Sequence, residues 1–329
     1  MRISRSLALP AAAVALALTL TACGSGNSDG GDSADSAAAG TVVTDMFGEV
    51  EVPADPQRVV ALGWSDAETA LALGVQPVGA SDWLGVGGNG LGPWVTEKYD
   101  TDPTILATYD IDVESVAALA PDLILWTRST NDKAVYDQLS DIAPTVAAPP
   151  GTDVAYGTTW DGQTEIVAEA LGKVDQGKKL IDDTKAQFAE TVAANPEFAG
   201  KSVAVGTLYS GQSGAYVRGD TRVDFLEALG LTNAPAIQDL AQPGKFSVDL
   251  SEENIANLDA DLTVMFPIGS GPEVITESPL IQGLPSARDG RLVVLGDTDL
   301  SNAFSAASVA GTRYALDNAV PLFAAPLKA

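Results

Sequence analysis

The chain has 329 residues, 46% of them hydrophobic, with 18 basic against 44 acidic side chains and a formal net charge of -26. That charge argues against nucleic acid and anionic lipid surfaces as electrostatic partners. With no histidine and one cysteine, the chain has no Ser-His-Asp triad, no Cys-His pair and no histidine metal site. Enzymes that use carboxylates alone, such as glycosidases, stay open.

The first elements are targeting signals. Arg2 and Arg5 precede the apolar run Leu7 to Leu20, a basic start and an apolar stretch of secretory-signal length. The run is shorter than the roughly 20 residues of a membrane span. Leu20-Thr21-Ala22-Cys23 follows, and this order resembles a bacterial lipoprotein signal. The resemblance implies a lipid on the Cys23 sulfur and cleavage just before it; the alternative is an ordinary secretory signal with an incidental thiol. Residues 1–22 are then the signal peptide, and 23–40 an anchor and flexible linker. Gly24 to Gly40 has no aromatic or large aliphatic side chain to offset the entropy of ordering it. As a flexible coil it spans about 23 Å.

From Thr41 onward, β-branched runs alternate with helical stretches. Arg58 to Leu62 reads as a strand, Asp66 to Leu73 as a helix stopped by Gly74, and Gln76 to Ala80 as a short strand. Gly85 to Gly90 formally matches a dinucleotide-binding fingerprint. Gly92 and Pro93 stand where its helix would begin, so the segment reads as a mobile loop. Asp112 to Leu119 is helical, Asp122 to Trp126 a buried strand, Val135 to Leu139 helical and Pro144 to Ala148 extended. Val174 to Pro196 carries a helical period, and about 19 residues of helix would run roughly 28 Å, enough to cross between two lobes. Further runs begin at Ser202, Ala215, Asp261 and Arg291, with a helical DFLEAL from Asp224. Continuous apolar strands separated by helices imply mostly parallel sheets covered on both faces.

The halves echo each other. Glu68 and Asp224 each stand six residues before a helix-ending glycine, Gly74 and Gly230. Val113 to Trp126 and Glu252 to Met265 share one pattern, a short amphipathic helix and then an aspartate opening a strand. Two α/β lobes follow, 41–173 and 197–329, joined by the helix of 174–196.

Asp55 to Leu62, the Ala72 to Gly79 stretch, Ala120 to Ile124, Tyr136 to Pro144 and Gly290 to Val294 together resemble iron(III)-siderophore substrate-binding proteins, relatives of the cobalamin receptors. The resemblance spans roughly residues 41–320. Each motif alone is weak, while their order and spacing are specific. It implies two Rossmann-like α/β lobes joined by a single long helix, with the ligand in the cleft between them. It implies a monomeric, lipid-anchored receptor at the outer face of the cytoplasmic membrane, not an enzyme, handing its cargo to an ABC importer permease. It also implies no cofactor and no metal held by the protein, since the siderophore supplies the iron's oxygen ligands. One acid per lobe meets the permease in this family; the matching positions are Glu68 and Asp224, with Glu227 a neighbouring substitute.

A bulky, partly apolar chelate calls for aromatic walls and a few guanidinium or hydroxyl donors on loops after strands. Candidates are Trp64, Trp83, Trp94, Arg128 and Trp160 in the first lobe, and Tyr209, Tyr216, Arg218, Phe246 and Phe304 in the second. Any one of these aromatics serves equally well in lobe packing, and either arginine in a salt bridge; Trp126 is assigned to the core. The shortage of cations favours a neutral or cationic hydroxamate over a tris-catecholate. A cobalamin or haem receptor, and a carboxylate-only hydrolase, are the competing readings.

Overall fold

A computed structural model describes residues 40–328; the signal sequence, Cys23 and the linker before Gly40 lie outside the described residues. The described chain opens with an antiparallel hairpin of β1 (Thr41–Asp45) and β2 (Gly48–Val52). Alternation buries Val43, Val50 and Val52 against the first lobe, and the Asp45 carboxylate accepts the turn amides of Phe47 and Gly48 at 2.7 and 3.0 Å.

The first lobe is a five-stranded parallel sheet of β3 (Val59–Ala61), β4 (Gly79–Ser81), β5 (Thr104–Leu106), β6 (Leu123–Leu125) and β7 (Thr145–Val146), in the order β5-β4-β3-β6-β7. Its central strands are buried along their whole length because helices cover both faces. These helices are α1 (Asp66–Ala72), α2 (Val113–Ala118), α3 (Lys133–Ser140) and α4 (Trp160–Ala170). Asp112, Asp132 and Thr159 start the last three, each side chain accepting a first-turn amide. The chain winds outward from β3 through β4 and β5, then returns to the other side with β6 and β7. The order therefore reverses between β3 and β6, where an open α/β sheet forms its crevice.

Helix α5 (Val174–Ala194) has 21 residues and carries the chain from the first sheet to the second. Gly177 lets it lie close to α4: a Cβ there would stand 2.4 Å from the Ala168 Cβ. The second lobe contains β8 (Ser202–Tyr209), β9 (Gln212–Tyr216), α6 (Thr221–Ala228), β10 (Thr232–Asn233), β11 (Ser247–Leu250), β12 (Leu262–Ile268) and β13 (Leu292–Val294). The order is β11-β9-β8-β12-β13, with β10 beside the start of β8. Here the expected mostly parallel sheet is mixed, since β9 runs antiparallel to both its neighbours, β8 and β11. Ser210 and Gly211 make a two-residue turn with φ of 49° and 80°, which returns the chain beside β8. The strand expected from Ala215 accordingly starts at Gln212. Near the end of the chain, helix Thr298–Ala306 packs on α6, and helix Val309–Asn318 packs back on α1, α4 and α5. Among the described residues no helix is long and apolar enough to cross a membrane.

Candidate ligand-binding cleft

The reversal between β3 and β6 places two loops side by side, Leu62–Ser65 and Trp126–Thr130. The Trp64 amide donates to the Arg128 carbonyl at 2.8 Å. Gly63 permits this approach; a Cβ there would meet the Asp66 carboxylate at 2.3 Å and the Arg128 nitrogen at 2.9 Å. Asp66, fully buried, ties both loops to α4. Its carboxylate accepts from Gly63 N at 2.9 Å, Thr127 N at 3.1 Å, Thr127 Oγ1 and Gln163 Nε2 at 2.8 Å. Burial outweighs these donors and pushes its pKa up to about 6.

On this footing stands a stack of rings. The Trp64 indole lies between Trp83, at 4.2 Å and 11°, and Tyr156, at 4.0 Å and 24°, with Tyr109 edge-on at 6.2 Å. Trp64 is buried, yet its Nε1 has no hydrogen-bond partner among the described residues. A cavity of about 300 Å³ opens beside it, lined by Tyr109, Tyr156 and Arg128 and by the exposed carboxylates Asp110 and Asp132. Phe246 of the second lobe meets Tyr156 edge-on at 6.2 Å and lies parallel to Tyr216 at 6.4 Å, so the aromatic series crosses between the lobes. Tyr209 lies near Tyr109. Desolvation first, and then the neighbouring Tyr209 phenol, hold the Tyr109 phenol above its ordinary range.

Arg128 sits behind the tryptophans, 5.6 Å from the Trp64 and Trp83 ring centroids and 1% exposed. Nε donates to the Tyr156 carbonyl at 2.9 Å, Nη1 to the Ala306 carbonyl at 2.7 Å and Nη2 to Thr221 Oγ1 at 3.0 Å. Two of the three acceptors belong to the second lobe. Ala307, left-handed at φ 50°, ends helix Thr298–Ala306 and turns the Ala306 carbonyl toward the first lobe, where a cation complements the negative helix end. Ser65 Oγ donates to the same carbonyl. Burial lowers the Arg128 pKa to about 10, which leaves it charged at neutral pH. A second buried arginine, Arg222, lies 3.7 Å from the Tyr216 centroid and is gripped by Asp220 at 2.6 and 2.8 Å.

The structure thus brings Trp64, Trp83, Tyr216 and Phe246 into one aromatic series, with Arg128 behind it and Tyr209 at its edge. Four other candidates lie elsewhere. Trp94 is buried with Val95, Ala303 and Ala306, because the glycine-rich loop folds against helix Thr298–Ala306. Trp160 and Phe304 pack into the second lobe's core and line a separate cavity of about 170 Å³ with Phe225 and Asp224. Arg218 is half-exposed and bound bidentately to Glu227 at 2.9 and 3.0 Å. Tyr109, Tyr156 and the Asp220–Arg222 pair have no signal of their own in the sequence.

The exposed docking acids expected at Glu68 and Asp224 are corrected. Glu68 is 6% exposed and accepts from Trp94 Nε1 at 3.0 Å and from Ser308 Oγ. Its helix faces the second lobe, where Ser308 caps helix Val309–Asn318. Asp224 is partly buried beside Gly219; burial, then repulsion from Asp220 and Glu227, raises its pKa to about 6. Glu227 is taken by Arg218. Among the described residues no cluster of three or more acidic side chains is placed to ligate a metal ion.

A parallel sheet with its crevice at the order reversal, a second lobe facing it and an aromatic series between them define a bilobal solute-binding protein. The chain belongs to the periplasmic binding protein family, which matches residues 59–298. Among its relatives is a Bacillus subtilis protein named as a probable siderophore-binding lipoprotein, 32% identical over 254 residues, 74% of each chain. A second, from the same organism, is named an Fe(3+)-citrate-binding protein and is 24% identical over 276 residues, 82% of each chain. A periplasmic solute-binding protein from Mycobacterium smegmatis has a crystal structure that superposes with a TM-score of 0.75 at 30% identity, covering 88% of this chain and 99% of that one.

Proposed function

We propose that this protein is an extracytoplasmic receptor that captures an iron(III)-siderophore between its lobes and delivers it to an ABC importer permease. The observation that carries this reading is the run of rings from Trp83 through Trp64 and Tyr156 to Phe246, which crosses the cleft of a chain in this family. Such walls suit the apolar outer shell of a chelate whose iron is already saturated with oxygen ligands. Iron is then cargo and needs no ligand from the protein. Cys23 carries the lipid that holds the receptor at the outer face of the membrane, in keeping with the lipoprotein relative.

Permease contact falls to exposed acids at equivalent places in the two lobes. The internal echo supplies them: Glu114 in the first turn of α2, before β6, and Glu252 and Glu253 in the short helix Glu252–Leu258, before β12. Both β6 and β12 pair with the first strand of their lobe. Carboxylates so placed fix register on a two-fold partner.

Native mass spectrometry of the protein with ferric chelates, cobalamin and haem tests the receptor reading. A one-to-one complex with a ferric chelate is expected; complexes with cobalamin or haem alone would overturn it.

A further inference from the structure

Resting on that receptor reading, we infer that the cleft is built for a ferric chelate with no net negative charge, of the tris-hydroxamate kind, and discriminates against tris-catecholates and ferric citrates. A trianionic chelate needs several uncommitted cations around it. Among the described residues no uncommitted cation lines the cavity beside Trp64. Arg128 is the only cation lining the cavity beside Trp64, and it already donates to Tyr156, Ala306 and Thr221. Arg222 is spent on Asp220 and Arg218 on Glu227. No lysine lines the cavity.

What the cavity does present is negative or neutral. Asp110 and Asp132 stand exposed at its wall, and neither forms a salt bridge among the described residues. They repel an anion and attract a cationic tail. The rings of Tyr109 and Tyr156, which line the cavity, also carry negative potential on their faces, which favours positive or uncharged groups over anionic ones. The unfilled hydrogen-bonding capacity is uncharged: the Trp64 indole N–H lacks an acceptor, and the phenols of Tyr109 and Tyr156 stay protonated above the ordinary range. Neutral donors suit the weakly charged oxygens of a hydroxamate and do little for a trianion. The charge class inferred here therefore differs from that of ferric citrate, the ligand in the name of the relative that is 24% identical.

Fluorescence titration with four probes tests this: ferrichrome (uncharged), ferrioxamine (cationic), ferric enterobactin (trianionic) and ferric citrate. The hydroxamates are expected to bind at least about 30-fold more tightly than the two anions. A smaller preference, or a preference for an anion, overturns this inference and leaves the receptor reading standing; failure of every chelate to bind removes both. The double variant Asp110→Asn, Asp132→Asn keeps the helix-capping oxygen at 132 and lies on exposed positions. It should narrow the gap by about tenfold; an unchanged gap shows that these carboxylates do not set the selectivity.

Discussion

A guanidinium as buried as that of Arg128 is tolerated only if its N–H groups find acceptors, and here they find a carbonyl in each lobe and a hydroxyl. Asp66, one loop away, is the opposite case, a carboxylate whose donors do not fully offset burial. Its pKa is about 6 in the folded chain against an ordinary value of 3.8. The folded state therefore binds the proton more tightly. The stability this contributes is fully present below about pH 3.8 and lost as pH rises through about 6, amounting to roughly 3 kcal/mol at most. Asp224 acts in the same direction. Asp261, held low by the Ser202 amide, acts oppositely but only at more acid pH. Urea midpoints are expected to be higher at pH 5 than at pH 7.5; a lower midpoint at pH 5 would contradict the assignment. Little of this is legible in the sequence. Arg128 stands out there as a scarce cation after a strand, but its acceptors come from residues 156, 221 and 306, which no local pattern connects to it.

At the scale of elements, legibility follows locality. The buried strands of the first sheet and the long helix α5 are written as continuous apolar runs and an uninterrupted helical period, so their positions are readable. The hairpin of β8 and β9 escapes a reading by apolar runs, although Ser210-Gly211 is a recognisable turn pair, and the antiparallel part of the second sheet escapes with it. Glu68 shows the limit most clearly. Its place on a short helix suggests a solvated acid, and it is buried by residues distant in sequence, Trp94 and Ser308, the latter 240 residues later. Ser308 serves twice, donating to Glu68 and accepting the Gly311 amide as the cap of helix Val309–Asn318. Ser308→Ala should therefore cost about 1–3 kcal/mol, through a lost cap and a buried carboxylate deprived of a donor. Thermal unfolding measures it; a change within error would mean that the contact between α1 and this helix contributes nothing.

At the scale of the molecule, two similar lobes are joined by α5 and clasped again by the C-terminal helices, with Arg128 and Glu68 at the seam. The aromatic series lies at the crevice of the first sheet and reaches Phe246 of the second lobe. The same duplication gives the receptor its two exposed acidic helices. Charge reversal at Glu114 together with Glu253 is expected to cut siderophore-dependent import at least about tenfold while leaving ligand affinity in solution unchanged. Normal import by that variant would move the permease contact elsewhere. If a ferric siderophore binds against the Trp64 and Trp83 rings, removing both rings must weaken it. Equilibrium dialysis of ferrichrome against the wild type and the Trp64→Ala, Trp83→Ala variant tests this most directly. One ferrichrome per wild-type chain is expected, with at least about 30-fold weaker binding by the variant and its circular dichroism spectrum retained. Equal affinity of the two folded proteins would contradict binding at these rings.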